Sequence, residues 1–319
     1  MKGISVQNAL KSSLVASSLM AGLMIAPAAH AERYASIVID ANTDTVLHAR
    51  NADDPRFPAS LTKVMTLYML FDELEAGRIS LDDELTVSRN AASQPPSNLR
   101  LSTGDKITVS DAIDALVTKS ANDVAVVVAE KIGGTEARFA ALMTVKATTL
   151  GMSSTRFYNA SGLPDERQVS TARDMARLAE AIMEDHPEYY GEFSTSSFTW
   201  EGRTYRNHNE LLGSVDGVDG IKTGYTRASG YNLMASAQRG DARVIAVMLG
   251  GRTSRARNSH VTELIEAAYA SFSAPTGNTS SATQTHIAFE SVRQPIDPNA
   301  AAVPTLNGQL FPVGEGDIQ

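Results

Sequence analysis

The chain has 319 residues, a formal net charge of −8, 43% hydrophobic residues and no cysteine. An acidic balance lacks the basic footprint that nucleic-acid binding needs. The missing thiols exclude disulfides, thiolate metal sites and cysteine catalysis, so the core alone must hold the fold.

The N-terminus reads as an export signal over residues 1–31. Lys2 and Lys11 give a positive start, Leu14 to Ile25 form a short apolar run, and Ala29-His30-Ala31 fits a small-residue cleavage site. The run is too short and too rich in Ser and Gly to span a bilayer convincingly. This predicts an exported protein, soluble in a periplasmic or cell-wall space once cleaved; the alternative is a retained N-terminal anchor.

Ala35 to Asp40 and Val46 to Arg50 flank the turn-forming Asn42-Thr43-Asp44 and read as an antiparallel hairpin. A helix follows from Ser60 to about Ala76, with Val64, Leu67, Leu70, Phe71 and Leu74 at helical spacing and a stop at Gly77. Further helices are expected over Asp111 to Val117, Asn122 to Ile132, Thr135 to Leu150 and Thr171 to Glu184, the last ended by His186-Pro187. Strand patterns return at Phe198 to Trp200, Gly220 to Thr223, Tyr231 to Ser236 and Arg243 to Leu249, before a helix from Val261 to Phe272. The polar loop Gln238 to Asp241 pairs the last two strands antiparallel. Strands at both ends with helices between them predict an α+β fold: one sheet assembled from distant segments, with an all-helical lobe inserted. Residues 273–319 are rich in Pro, Thr, Ser, Asn and Gly and read as a loose tail, leaving 32–272 as the folded domain. A short β-structured cap at Thr285 to Val292 is the alternative there.

Three short motifs carry the chemistry. Ser60-Leu61-Thr62-Lys63 opens the first long helix, Ser120-Ala121-Asn122 follows 60 positions later, and Lys222-Thr223-Gly224 follows 102 after that. Singly, each reads as structure: a helix cap, a second-copy pattern (Ser88-Arg89-Asn90 also occurs), a strand end. Together they supply an acyl-transfer serine enzyme that has no histidine base. At a helix start the Ser60 N–H is free to hold an oxyanion, and Lys63 lies one turn along, within reach of the hydroxyl. An ordinary lysine is a useless base at neutral pH, but burial and the nearby cation Lys222 both lower its pKa. Ser120 can relay a proton to the leaving amine, and Asn122 offers its amide to a substrate peptide group. Gly224 lets substrate approach the strand edge, where an extended peptide adds as a further strand, and Tyr225 supplies a second oxyanion N–H.

This ordered trio resembles the active-site set of the penicillin-binding proteins and serine β-lactamases. Residues 58–66, 120–123, 159–163, 170–176, 217–226 and 250–253 narrow the resemblance to the low-molecular-mass penicillin-binding proteins that act as D-alanyl-D-alanine carboxypeptidases. It covers roughly Ala35 to Phe272. The resemblance implies a β-lactamase/transpeptidase-like fold, and acylation of Ser60 by the penultimate D-Ala of a peptidoglycan stem peptide with release of the terminal D-Ala. Lys222, Thr223 and Arg252 would hold the terminal carboxylate, and β-lactam antibiotics would acylate the same serine. No cofactor or metal is implied.

Many relatives carry a β-rich second domain and a C-terminal amphipathic anchor. The 47 residues after Phe272 are too few for that domain, and Gly308, Pro312, Gly314 and Gly316 interrupt any amphipathic helix, so no C-terminal membrane anchor is expected. A D,D-endopeptidase cutting cross-links remains open. A β-lactamase is disfavoured because Asp165-Glu166-Arg167-Gln168 lacks the Glu-x-x-x-Asn pattern of the class with this motif order. A non-catalytic wall-binding protein is disfavoured by the intact Ser60, Lys63 and Lys222. The chain also has no Gly-x-Ser-x-Gly elbow, and its six histidines show no zinc-type helical spacing.

Overall fold

A computed structural model describes residues 33–273. The export segment and the tail beyond Ser273, with its possible cap, lie outside the described residues. The chain enters as a hairpin, β1 (Ala35–Asp40) and β2 (Thr45–Arg50), and passes through a 3₁₀ turn (Ala59–Leu61) into α1 (Thr62–Glu75). The lobe that follows holds β3 (Glu84–Thr86), α2 (Arg89–Ala92), β4 (Lys106–Thr108) and α3 (Val109–Asp114). A π turn (Ala115–Lys119) leads to α4 (Asn122–Gly133), then α5 (Glu136–Thr149), α6 (Ala172–Asp185) and the short α7 (Pro187–Tyr190). A small hairpin, β5 (Ser197–Trp200) with β6 (Arg203–Arg206), precedes the long strands β7 (Val218–Thr226), β8 (Gly230–Arg239) and β9 (Ala242–Gly251), and α8 (Ser254–Ser273) closes the chain.

The main sheet has the order β2-β1-β9-β8-β7, with every neighbouring pair antiparallel. The first hairpin and the last three strands, far apart in sequence, thus form one sheet, as expected. Both faces are covered, so its central strands are buried on both sides while alternation decides which core each residue enters. Ile245, Val247 and Leu249 of β9 face the helical lobe, whereas Val244, Ala246 and Met248 face α8 with Val261, Leu264 and Ile265.

α1 is central and buried, as its run of apolar residues predicts, and the burial extends all round: every residue from Thr62 to Phe71 is buried, including Lys63 and Thr66. The helix runs through the middle of the protein. Its C-terminal half meets an aromatic group: Phe71 stacks on Tyr189 at 4.8 Å and meets His186 and Phe193 edge-on. His186 also ties the end of α6 back to α1, with Nδ1 2.7 Å from Glu75 Oε1; its Nε2 lies 3.4 Å from Asp72 Oδ1, close enough for charge attraction but not aligned for a hydrogen bond.

Caps fall where side-chain chemistry places them. The Thr135 and Thr171 hydroxyls accept from Arg138 N and Asp174 N at the starts of α5 and α6. The elements absent from the sequence reading (β3, β4, β6, α2, α7) are three or four residues long, too short to show a period. α8 starts seven residues earlier than Val261, capped by Thr253, whose hydroxyl accepts from Ala256 N. Removing Phe71 tests whether the aromatic contact anchors α1: Phe71→Ala is expected to cost about 3–5 kcal/mol in urea unfolding. A loss below about 1 kcal/mol would mean that the site collapses around the missing ring.

Candidate active site

The 3₁₀ turn holds Ser60 between two close approaches. Behind it, Gly162 sits at φ +83°, and a Cβ there would lie 1.9 Å from the Ala59 carbonyl oxygen. In front, a Cβ on Gly224 of β7 would stand 3.0 Å from Ser60 N and 3.1 Å from Pro58 O. Gly224 therefore serves first to seat the serine turn against β7, where the sequence reading assigned its missing side chain to substrate approach. Ala59 itself is held at φ +49°, a conformation alanine rarely adopts.

Lys63 is completely buried and reaches three oxygens. Nζ donates to Ser161 O at 2.5 Å and to Asn122 Oδ1 at 2.7 Å, and lies 3.4 Å from Ser60 Oγ. Burial first, and then the Lys222 cation, lower its pKa well below the ordinary lysine value, with Asp123 opposing. A neutral amine has two N–H bonds and one lone pair. With both N–H bonds directed to Ser161 O and Asn122 Oδ1, the lone pair falls toward Ser60 Oγ.

The Asn122 amide is thus largely committed inside the protein. Its oxygen holds Lys63, and its nitrogen donates to Pro95 O at 2.8 Å, which leaves one N–H for a substrate. Ser120, two residues before it, follows the π turn in a left-handed conformation, φ +58°. Its Oγ is buried without a hydrogen-bond partner among the described residues, and the residue lines the cleft beside Ser60. Its turn is braced by Asn122 N to Ser97 O and by the Asp123 carboxylate, which accepts from Leu99, Leu101 and Val124 N. The rival Ser88-Arg89-Asn90 is structural: Ser88 caps α2 and Asn90 bonds Glu130.

These elements enclose a cleft of about 490 Å³, bounded by Ser60, Ser120, Asn122, the Thr223–Thr226 edge of β7 and the loop Arg206 to Glu210. β7 is an outer strand of the sheet, so its free edge faces this space. Lys222 is buried beneath it, its pKa pushed down to about 7 by burial and by Arg257. Tyr225 is 53% exposed on the wall, its ring 4.3 Å from that of Tyr231.

Arg252 does not join the group. It is exposed and does not line the cleft, whereas Arg257, one turn into α8, does. Arg257 is buried, its Nη1 donating to Asn232 O at 2.9 Å and its Nε to Asn258 Oδ1 at 2.8 Å; Asn258 in turn donates to Glu210. Placing the start of the last helix at Val261 left this arginine in a loop; Thr253 as a cap would have put it on the first turn. His208 was also overlooked. It is exposed at the rim of the cleft, yet partial loss of hydration and the cations Lys222, Lys119, Arg257 and Lys63 push it down to about 4, so it is neutral. Within an acidic chain, this cleft is locally cationic and suited to a carboxylate. Among the described residues no cluster of His, Cys, Asp or Glu is arranged to hold a metal ion.

A nucleophilic serine beside a buried lysine, at the edge of an antiparallel sheet capped by a helical lobe, defines a serine acyl-transfer enzyme of the penicillin-binding, transpeptidase-like class. Comparison narrows this. Residues 23–253 match the D-alanyl-D-alanine carboxypeptidase family. The chain is 34% identical over 280 residues to the D-alanyl-D-alanine carboxypeptidase DacF of Bacillus subtilis, covering 80% of this chain and 71% of that protein. It is 39% identical over 236 residues to DacC of Escherichia coli, covering 72% of this chain but only 59% of that protein. Penicillin-binding protein D2 of Listeria monocytogenes, solved with cefotaxime bound, superimposes with a TM-score of 0.67 at 33% identity, over 73% of this chain and 95% of that one. The chain belongs to the D-alanyl-D-alanine carboxypeptidase family of serine hydrolases.

The packing at Gly162 gives a direct test. Gly162→Ala is expected to displace the Ala59 carbonyl and slow acylation by benzylpenicillin about a hundredfold, as misplacement of a reacting group does. Gly213→Ala also alters a glycine at positive φ (+70°) but meets nothing within 4 Å, so it should cost stability and leave the acylation rate alone. Equal rates in the two variants would remove this account of the turn.

Proposed function

We propose that the mature domain, residues 32–272, acts outside the cytoplasm as a D,D-carboxypeptidase on peptidoglycan stem pentapeptides, following removal of residues 1–31. The observation that carries the chemistry is the buried Lys63 amine, held by Ser161 O and Asn122 Oδ1 with its remaining position toward Ser60 Oγ. The donor peptide lies antiparallel along the edge of β7, its terminal carboxylate toward Thr223, Lys222 and Arg257, with Arg257 in the place that the sequence assigned to Arg252. Lys63 takes the Ser60 proton as Oγ attacks the penultimate D-Ala carbonyl, and the Ser60 and Tyr225 N–H groups hold the oxyanion. The proton passes through Ser120 to the leaving D-Ala amine, and water then hydrolyses the ester. β-Lactams enter the same slot and acylate the same oxygen. Incubation with a pentapeptide muropeptide is expected to release D-Ala; mass analysis showing cleavage only of a cross-linked dimer would instead make the chain an endopeptidase.

The two lysines are separable by pH. Lys63 acts neutral, so acylation rises with pH as it loses its proton; Lys222 acts charged, so the rate falls again as pH passes about 7. Lys222→Arg keeps a cation at all working pH values and should retain part of the activity while the alkaline fall disappears. Lys63→Arg keeps the charge but cannot yield a proton, and is expected to be nearly inactive, as is Ser60→Ala. A Lys63→Arg variant that acylates at the parent rate would dismiss lysine as the base.

A further inference from the structure

Ala59 holds a left-handed conformation beside the nucleophile, and such a backbone persists only where its surroundings fix it from several sides. Gly162 and Gly224 close on the turn from behind and in front. A third hold comes from β8. Asn232 is completely buried and stands opposite Gly224 in the strand register. Its Nδ2 donates to Phe57 O at 3.0 Å and to Pro58 O at 3.1 Å, the two carbonyls that lead into the serine turn. Pro58 O also accepts from Leu61 N at 3.2 Å, so Asn232 grips the carbonyl that closes the 3₁₀ turn. Asn232 Oδ1 accepts from Gly250 N at 3.0 Å, where β8 and β9 slip register. An amide offers two N–H bonds and one carbonyl oxygen, and all three are engaged here.

We propose that Asn232 is a positioning residue for acylation: its amide fixes the turn that presents Ser60 Oγ to Lys63. It does not line the cleft, and none of the three motifs contains it. The proposal rests on the acyl-enzyme reading above and adds to it the hold on the nucleophile. Side chain and main chain of this one residue serve different ends. The side chain holds the approach to Ser60, whereas the main-chain oxygen accepts from Arg257 Nη1 at 2.9 Å. A change of side chain therefore releases the turn and leaves the arginine its acceptor. Misplacing a reacting group by about 1 Å costs about a hundredfold in rate.

The test uses the full-length protein, benzylpenicillin and a pentapeptide muropeptide. Asn232→Asp keeps the shape and an acceptor for Gly250 N but sets oxygen against the two carbonyls; Asn232→Ala removes the amide. Ser236→Ala is the comparison, a buried hydroxyl on the same face of β8 that accepts from Arg243 Nη1 at 2.6 Å. Urea unfolding checks the fold, and rates are taken per folded enzyme. Both Asn232 variants are expected to lose about a hundredfold in benzylpenicillin acylation and in kcat, with KM within about twofold of the parent. Ser236→Ala should match the parent in each. If Asn232→Asp does not fold, Asn232→Ala decides. Parent-like acylation in a folded Asn232 variant would overturn the role. So would a rise in KM as large as the fall in kcat, an equal loss in Ser236→Ala, or failure of both Asn232 variants to fold, since each marks a general brace of the sheet. Absence of acylation in the parent would overturn the reading on which the proposal rests.

Discussion

The structure is organised around an amine that has no access to water. Burying a lysine is costly unless its polar atoms are satisfied or it gives up its charge. Lys63 does both in part: two oxygens take its hydrogens, and its pKa is lowered by burial and by a second cation. Those oxygens come from chain segments 59 and 98 residues away from it. The Ser120 turn must therefore close against the start of α1, and the Asn159 to Leu163 loop must pass behind it, before the lysine has its partners. Hydrogen bonds hold the second loop in shape, with Asn159 Oδ1 accepting from Ser161 N and Gly162 N, and Thr66 Oγ1 donating to Ala160 O. The setting of the proposed base is thus a product of tertiary closure, although its spacing from Ser60 is local.

Electrostatics in the cleft follows from the same burial. Lys63 and Lys222 are both depressed, but their settings differ. Lys63 is surrounded by acceptors fixed by the fold, while Lys222 has one acceptor among the described residues, Thr223 O at 3.3 Å, and faces Arg257. In the proposed mechanism one amine exchanges a proton with its neighbour, and the other concentrates positive potential under an open strand edge. His208 remains neutral among them, so the cleft gains a polar ring without a further like charge.

What the sequence made legible and what it hid divide along the range of the interactions. Ser60 and Lys63 are one turn apart in contiguous helical segments, and the glycines that stop α1 and α4 act on their own neighbours; such features can be read locally. The sheet was legible for a related reason, since β8 and β9 are joined by a tight polar loop and β1 and β2 by another. Arg257 was hidden because it reaches the cleft from α8, which carries none of the three motifs, and only the Thr253 cap in its own neighbourhood hints at its place. Arg252, within a recognisable motif, drew the assignment in its place. The role of Gly224 was hidden likewise: that the serine turn lies against it is a fact of packing between β7 and a segment over 160 positions earlier. Asn122 shows the limit of residue type as a guide, since its amide is chemically fit for substrate yet mostly spent on Lys63 and Pro95.

The free edge of β7 has a consequence for the protein in a crowded compartment. An unpaired strand with regular register is a template for any other extended chain, including the same strand of a second molecule. β2, at the opposite margin of the sheet, is short and mostly solvent-facing, but β7 is nine residues long and mostly buried. Its central stretch lines a cleft shared with Ser120, Asn122 and the Arg206 to Glu210 loop. A cleft of about 490 Å³ suits a single extended peptide better than the edge of a second folded sheet with its covering helices. The lobe that carries Ser120 thereby narrows the approach to an adhesive margin without covering it.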